Sequence, residues 1–489
     1  MALGGKSSRV NREQQEKKNN DKRNVPVLVT TYFVLLLFIV MFVYLIRFVV
    51  VDADTTIANS YNKRQSIYAE KVIKGQIISS DGEVLAETLV DDDGNETRYY
   101  PYKNVFAHVI GYDSNGQSGL EMMSTYYLLT SNQNIITQTV NALSDEKSQG
   151  NNVITTISYN LQTVAYNAMG DNDGAVVVME PDTGKILVML SKPDYDPNNI
   201  SELIAESQDD NDSSYLLNRA TQGLYPPGST FKVLTALEYI RENPDTYESY
   251  SYECESEDIF AGVSIHCYNS KAHGFVDLKD SLAYSCNTSF ANIGMTLDLD
   301  ELNQLCEDFL YNSELPYDGV YKQSQFDLDG SSESSEIPQT VIGQGNTLIT
   351  PLHNAMIMAT IANGGVMMQP YLIDRIENCD GALVKKFGSS SCGRIIDATE
   401  AATMIELLTG VTEYGTAADK FAGATYTVAG KTGTAEYNSD GDSHSWFVGF
   451  SNVDNPDIVV CVIIENASST GSSASAVARK IFDAYYLEN

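Results

Sequence analysis

Positive charge is scarce in this chain. Thirty-one Lys and Arg stand against 65 Asp and Glu, a formal net charge of −34 over 489 residues. A surface this acidic repels phosphate backbones and anionic lipid, which argues against nucleic-acid binding. The acidic runs Asp91-Asp-Asp93 and Asp209-Asp-Asn-Asp212 sit among Gly, Asn and Ser, the setting of solvated loops rather than of an acidic binding patch. Metal-binding and redox spacings are also missing. There is no CxxC and no HExxH, and no Gly-rich loop precedes a Lys with the spacing that cradles a nucleotide phosphate. His266-Cys267 beside Cys254 offers ligand types, but nothing in the spacing supports a site, so neither metal nor cofactor is expected. Seven cysteines cannot all pair. Cys254/Cys267 and Cys379/Cys392 are each thirteen apart, and the second pair brackets an Asp380-Gly381 turn across which a bridge would fit. Cys286, Cys306 and Cys461 look like small buried apolar residues.

Long apolar runs are absent except for one. Val25 to Ile46 is 22 residues without a charge, enough to cross a bilayer. Before it, residues 1–24 carry seven Lys or Arg against three acids, a local charge of +4 that leaves −38 for the rest. That asymmetry predicts a cytoplasmic tail (1–24), an anchor (25–50) and an extracytoplasmic remainder. No small-residue cleavage site follows at Arg47-Phe-Val-Val-Val-Asp52, so the anchor is expected to be retained.

The remainder divides by pattern. Residues 51–150 are poorly periodic, with two short strands predicted around Asp81-Gly82 in Glu70–Ala86, and form a small domain. Residues 151–489 form a larger one. Ala175-Val-Val-Val-Met179 and Ile186-Leu-Val-Met-Leu190 flank an Asp182-Thr-Gly184 turn as a hairpin. The middle, 229–365, is mostly helical in pattern. Strands return at Tyr426–Thr434, Trp446–Phe450 and Ile458–Ile464, before a last helix at Ala474–Tyr486. Strands from both ends with helices between them imply an α+β domain on an antiparallel sheet.

The chemistry-bearing residues are Ser229, Lys232, Ser285, Asn287 and Lys431. Ser-x-x-Lys alone is weak, since Ser60–Lys63 and Ser144–Lys147 match it too. Ser229 differs in context. Pro226-Pro227-Gly228 turns the chain just before it, and Val233, Leu234, Ala236, Leu237 and Ile240 give the following helix an inner face. A serine at a helix N-terminus has backbone N–H groups nearby for developing negative charge. It also needs a base, and a desolvated lysine near a second cation is neutral enough to serve. Lys431-Thr-Gly-Thr434 could supply that cation. Thr432 and Thr434 have hydroxyls for a carboxylate, and Gly433 would let a substrate lie close to the strand. Ser285-Cys-Asn287 is matched in form by Ser60-Tyr-Asn62 and Ser158-Tyr-Asn160, and Asn287 by itself could be a plain helix cap.

Together, in this order and spacing, the three elements resemble the signature of penicillin-binding proteins and class A β-lactamases, with Cys286 where Asp is customary. The resemblance extends to Gly119-Leu-Glu121, Asp194-Tyr-Asp-Pro-Asn198, Leu217-Asn-Arg219, His273-Gly274, Gly343-Gln-Gly345 with Thr350-Pro351, and His444-Ser-Trp-Phe-Val-Gly449. The chain thus resembles a class B penicillin-binding protein of the small PbpA-like subgroup. That resemblance implies a transpeptidase-like domain with a helical subdomain, carried on a short pedestal of the dimerisation type and one membrane helix. It implies a D,D-transpeptidase acting on peptidoglycan stem peptides and acylated by β-lactams. In it Ser229 is the nucleophile and Lys232 takes its proton. Ser285 relays a proton between Lys232 and Lys431 or the leaving group, and Asn287 binds the acyl-side amide. Lys431, Thr432 and Thr434 hold the terminal carboxylate, and the N–H groups of Ser229 and Thr434 bind the oxyanion. It further implies a separate glycan polymerase in the membrane as partner, because some 100 residues before the catalytic domain are too few for one. Two other classes share the serine and lysine: a β-lactamase or β-lactam sensor, and a non-catalytic scaffold of a wall-building complex. The single membrane segment and the extra domain disfavour the first, and the intact reactive residues disfavour the second.

Overall fold

A computed structural model describes residues 5–48, 69–114, 116–144, 146–207, 214–436 and 443–487. It divides into two compact units, Met1–Asn62 and Lys63–Asn489. Ser60–Lys63, Ser60-Tyr-Asn62 and the acidic run at 209–212 lie outside the described residues. In the first unit one helix runs from Gly5 to Arg47. Its segment Val25–Arg47 has a mean hydropathy of 2.6 and contains no buried residue, which makes it long and apolar enough to cross a membrane.

The second unit is built on a five-stranded antiparallel sheet drawn from two distant stretches. β1 (Gly174–Met179) and β2 (Ile186–Lys192) form the predicted hairpin, turning at Gly184 (φ 80°). β3 (Val428–Glu436), β4 (Ser443–Ser451) and β5 (Val459–Ile464) come from the other end, and the order is β3-β4-β5-β1-β2. Every residue of β1, β2 and β5 is buried, since helices cover both faces of the sheet. The helices used below are α1 (Tyr159–Met169), α2 (Lys232–Glu242), α3 (Leu278–Ala283), α4 (Asn287–Gly294), α5 (Pro351–Ala362), α6 (Ala398–Glu413) and α7 (Ala474–Leu487). Strand alternation divides the packing. Val176, Val178, Val460 and Val462 join α1 and α7 in one core. Ala175, Val177, Cys461 and Ile463 join α2 and α5 in the other. All twelve residues of α5 are buried, as expected of a helix that is apolar all round. Behind it Asn363 ends the helix, and Gly364 (φ 59°) and Gly365 (φ 90°) turn the chain.

Two features depart from the sequence reading. The strands of residues 51–150 do not close a sheet of their own. They join a six-stranded sheet that runs Leu383–Lys386, Ile373–Glu377, Asn152–Thr155, Ile77–Ile78, Val84–Val90, Glu96–Tyr99, with three strands from beyond residue 151. The hairpin at Asp380-Gly381 is thus an edge of this sheet, and Cys379 and Cys392 are free thiols. Secondly, the helical middle is interrupted by four short strands, Tyr252–Cys254, Glu257–Phe260, Val263–His266 and Gly274–Val276, which pair only with one another. In the small domain Glu121 is fully buried between two cations, accepting from Arg98 Nε at 2.6 Å and lying 2.6 Å from Lys74 Nζ. Burial alone would raise its pKa, but the two cations outweigh that and hold the carboxyl below its usual range.

Candidate active site

Ser229 sits in a short 3₁₀ turn, Gly228–Thr230, that leads directly into α2 at Lys232. The turn is clamped from several sides. The Trp446 indole N–H donates to the Pro226 carbonyl at 3.1 Å. The Thr230 hydroxyl donates to the Pro227 carbonyl at 2.8 Å, and Gly228 N–H donates to the Gly343 carbonyl at 2.9 Å. Gly228 (φ 52°) and Gly343 (φ 83°) are required here. A Cβ on Gly343 would stand 1.9 Å from the Gly228 carbonyl oxygen, and one on Gly228 would stand 2.8 Å from the Thr434 carbonyl oxygen. The serine turn therefore presses against both the Gly343-Gln-Gly345 loop and β3. Gly228 and Thr230 are buried while Ser229 is partly exposed, so of these three it is the serine that faces outward.

Lys232 and Lys431 are both fully buried, and Ser285 lies between them. Lys232 Nζ donates to Asn287 Oδ1 at 2.6 Å, to the Ser285 carbonyl at 2.8 Å and to Ser285 Oγ at 3.3 Å. Lys431 Nζ donates to Ser285 Oγ at 2.8 Å and to the Thr432 carbonyl at 3.0 Å. One hydroxyl thus bridges two ammonium groups that have no carboxylate among these contacts. Ser285 reaches this point through a left-handed backbone (φ 57°) between α3 and α4, a strained state for a non-glycine residue. Burial pushes the Lys232 pKa down to about 8. Burial, then the charge of Lys232, pushes that of Lys431 well below its ordinary value. Both buried amines therefore hold a proton less tightly than a free lysine does.

Asn287 is not a helix cap. Cys286 occupies the N-cap position of α4, and the Asn287 amide is spent between Lys232 and the His266 carbonyl, to which it donates at 2.8 Å. Along β3, Lys431 and Gly433 are buried while Thr432 and Thr434 are more exposed, and the Thr432 hydroxyl lies 2.5 Å from that of Thr416. Gly433 faces inward. A Cβ there would meet Trp446 Cβ at 3.0 Å and the Pro227 carbonyl at 3.2 Å, so the missing side chain admits the serine turn rather than a substrate. Thr416, Trp446 and Gly343 were not assigned site roles from sequence. Gly343 and Trp446 stood inside noted landmarks, but their partners are remote in the chain.

The other matches fall elsewhere. Ser144 follows a helix end, and Lys147 pairs with Glu96 at 2.6 Å. Ser158 caps α1 by accepting from the Leu161 N–H. His353 is buried between Ser324 Oγ (2.7 Å) and the Phe309 carbonyl (2.6 Å), and His108 lies against the Tyr215 carbonyl, as packed rather than reactive groups. A buried amine of lowered pKa, linked through a hydroxyl to a second buried amine and set three residues after a partly exposed serine, is the kind of arrangement that activates a serine nucleophile.

Residues 174–483 match the family model described as the penicillin binding protein transpeptidase domain, and residues 74–153 match the penicillin binding protein A dimerisation domain. The chain is 31% identical over 454 residues to peptidoglycan D,D-transpeptidase PbpA of Mycolicibacterium smegmatis, covering 87% of this chain and 91% of that one. It is 28% identical to peptidoglycan D,D-transpeptidase MrdA of Acinetobacter baumannii, covering 80% and 66%. Among solved structures, penicillin-binding protein A from M. tuberculosis as its ceftriaxone acyl-enzyme superposes with a TM-score of 0.78 at 29% identity, covering 86% of this chain and 100% of that one. The D,D-transpeptidase domain of a peptidoglycan glycosyltransferase from Eggerthella lenta gives 0.75 at 29% identity, covering 85% and 98%.

Proposed function

The chain belongs to the penicillin-binding protein transpeptidase family, and from that premise we infer that it is a membrane-anchored peptidoglycan D,D-transpeptidase working through an acyl-enzyme on Ser229. The observation that carries the assignment is the Ser285 hydroxyl held between two buried lysines, 3.3 Å from Lys232 and 2.8 Å from Lys431.

Ser229 Oγ attacks the carbonyl carbon of the penultimate D-Ala of a stem peptide, and its proton passes to neutral Lys232. The oxyanion is held by the N–H groups of Ser229 and Thr434. As the tetrahedral intermediate collapses, the C–N bond breaks. The leaving D-Ala amine takes a proton delivered through Ser285 from the lysine pair. An amine of a second stem peptide then attacks the ester, loses its proton along the same path, and frees Ser229. Asn287 orients the acyl-side amide, while Lys431, Thr432 and Thr434 hold the terminal carboxylate, with Thr416 buttressing Thr432. A β-lactam enters as the donor does, but its opened ring stays attached and the ester persists.

The same reading takes residues 1–24 as a cytoplasmic tail and 25–50 as the anchor. Residues 51–150 are then the pedestal and 151–489 the catalytic domain outside the membrane, with a glycan polymerase of the membrane as partner. The +4 charge before the apolar segment supports that orientation. The test is release of terminal D-Ala from a pentapeptide stem with an acceptor amine present. Cross-linked dimer is expected from the parent and none from Ser229→Ala. Hydrolysis with no amine incorporation under any acceptor would reject transpeptidation in favour of a hydrolase.

A further inference from the structure

No metal was expected from the sequence, yet Cys254, Cys267, His273 and Cys286 converge. Their ligand atoms all lie within 4.8 Å of one another. Cys254 Sγ is 3.6 Å from Cys267 Sγ and 3.4 Å from His273 Nδ1, and Cys267 Sγ is 3.7 Å from Cys286 Sγ. Tetrahedral zinc with bonds of about 2.3 Å to sulfur and about 2.0 Å to nitrogen sets neighbouring ligands about 3.5–3.8 Å apart. Two of these cysteines in a disulfide would be about 2.05 Å apart instead. All three thiols are buried. The Thr288 hydroxyl donates to Cys254 Sγ at 3.3 Å and lies 3.4 Å from Cys286 Sγ, the kind of contact that steadies thiolate ligands. The His273 ring stacks on Tyr284 with an interplanar angle of 4°.

We propose that Cys254, Cys267, His273 and Cys286 bind one structural zinc ion that fastens the 252–276 excursion to the Ser285–Asn287 segment. With three thiolates and one imidazole the coordination is closed, so the ion takes no substrate.

The surroundings give the ion a task. The excursion consists of two separate two-stranded ribbons, too little structure to stand alone. Phe260 and Ile265 reach the main core, but Ile259, Tyr268 and Phe275 stay exposed. Small, poorly cored elements of this sort are held by staples such as metals. Two ligands bracket the ribbons' ends, at Cys254 and just before Gly274, which faces Cys254 in register. The fourth ligand, Cys286, lies between Ser285 and Asn287. Through His266, the neighbour of Cys267, the excursion also supplies the carbonyl that holds the Asn287 amide. Removing the ion would loosen Asn287 and Ser285 together.

The test is metal analysis of the full-length protein, purified in detergent without chelator. About one zinc per chain is expected, and exchange with Co²⁺ should give the thiolate charge-transfer and visible bands of a tetrahedral site. Cys254→Ser, His273→Ala and Cys286→Ala should each lose the bound zinc, whereas Cys306→Ser and Cys461→Ser should keep it. Chelation of the parent should slow penicillin acylation, with re-addition of Zn²⁺ restoring it. Metal content near zero with no cobalt spectrum would overturn the proposal, as would a Cys254–Cys267 disulfide found by mass spectrometry or retention of zinc by all three site variants. Metal content is independent of whether the enzyme cross-links peptides.

Discussion

Gly343 offers a sharp probe of how the serine turn is aimed. Its φ of 83° already disfavours any side chain, at a cost of about 1–2 kcal/mol for Ala. The steric conflict is larger. The Cβ of Ala would stand 1.9 Å from the Gly228 carbonyl oxygen and must retreat to about 3.0 Å, a shift of about 1.1 Å absorbed by a turn that carries Ser229 one residue later. Displacement of a reacting group by about 1 Å costs about 100-fold in rate. Gly345→Ala is the matched control. It has φ 75° and a single close neighbour, the Thr340 hydroxyl at 3.3 Å, a side chain that need give only a few tenths of an ångström, so it incurs the backbone strain with little of the push. The second-order rate constant for acylation by a fluorescent penicillin, measured on the full chain below its melting temperature, should fall about 100-fold for Gly343→Ala. For Gly345→Ala it should fall by less than about fivefold. Both should lose comparable stability from the backbone alone. If Gly343→Ala acylates within about threefold of the parent, the loop does not aim the serine and the clamping argument is wrong.

Acylation should require neutral Lys232, whose pKa is pushed down from 10.5 to about 8. The reactive form is therefore gained as pH rises, and the rate should climb about fifty-fold between about pH 6 and about pH 8 before levelling, checked by a pH–rate profile. A profile still rising tenfold per unit above about pH 9.5 would mean an ordinary lysine. Ser285→Ala removes the hydroxyl linking the lysines and should lower acylation about 10²–10⁴-fold with little change in melting temperature. Glu121→Ala leaves Lys74 and Arg98 as buried cations short of their shared counter-charge and should cost about 3 kcal/mol, seen in denaturant melts. Because the Glu121 pKa is depressed in the fold, its stabilisation is present above the unfolded value near 4.5. It is lost as pH falls through the folded one, so parent and variant should converge in acid.

The antiparallel sheet was legible because β1, β2 and β5 are apolar runs bounded by turns, and α5 because an apolar stretch ends at Asn363-Gly-Gly365. Ser229 was legible through Pro226-Pro227-Gly228 and the helix behind it, not through its spacing to Lys232. What escaped depends on contacts between distant stretches. Ile373–Glu377 joins Asn152–Thr155, more than 200 residues earlier, and no local pattern announces that pairing. Gly433 suggested room for a ligand, but the strand's pleat turns its missing side chain toward Trp446 and Pro227. The four zinc-type ligands are thirteen, six and thirteen residues apart, each at the edge of a different short element, so no paired motif marks them.

The central claim is that one serine, Ser229, carries the acyl group. Incubating the full chain with penicillin and mapping the adduct by peptide mass spectrometry tests it directly. The account predicts a single stoichiometric adduct on the peptide containing Ser229, persisting over many minutes and absent from Ser229→Ala. An adduct that survives in Ser229→Ala, or one that maps to another residue, would contradict it.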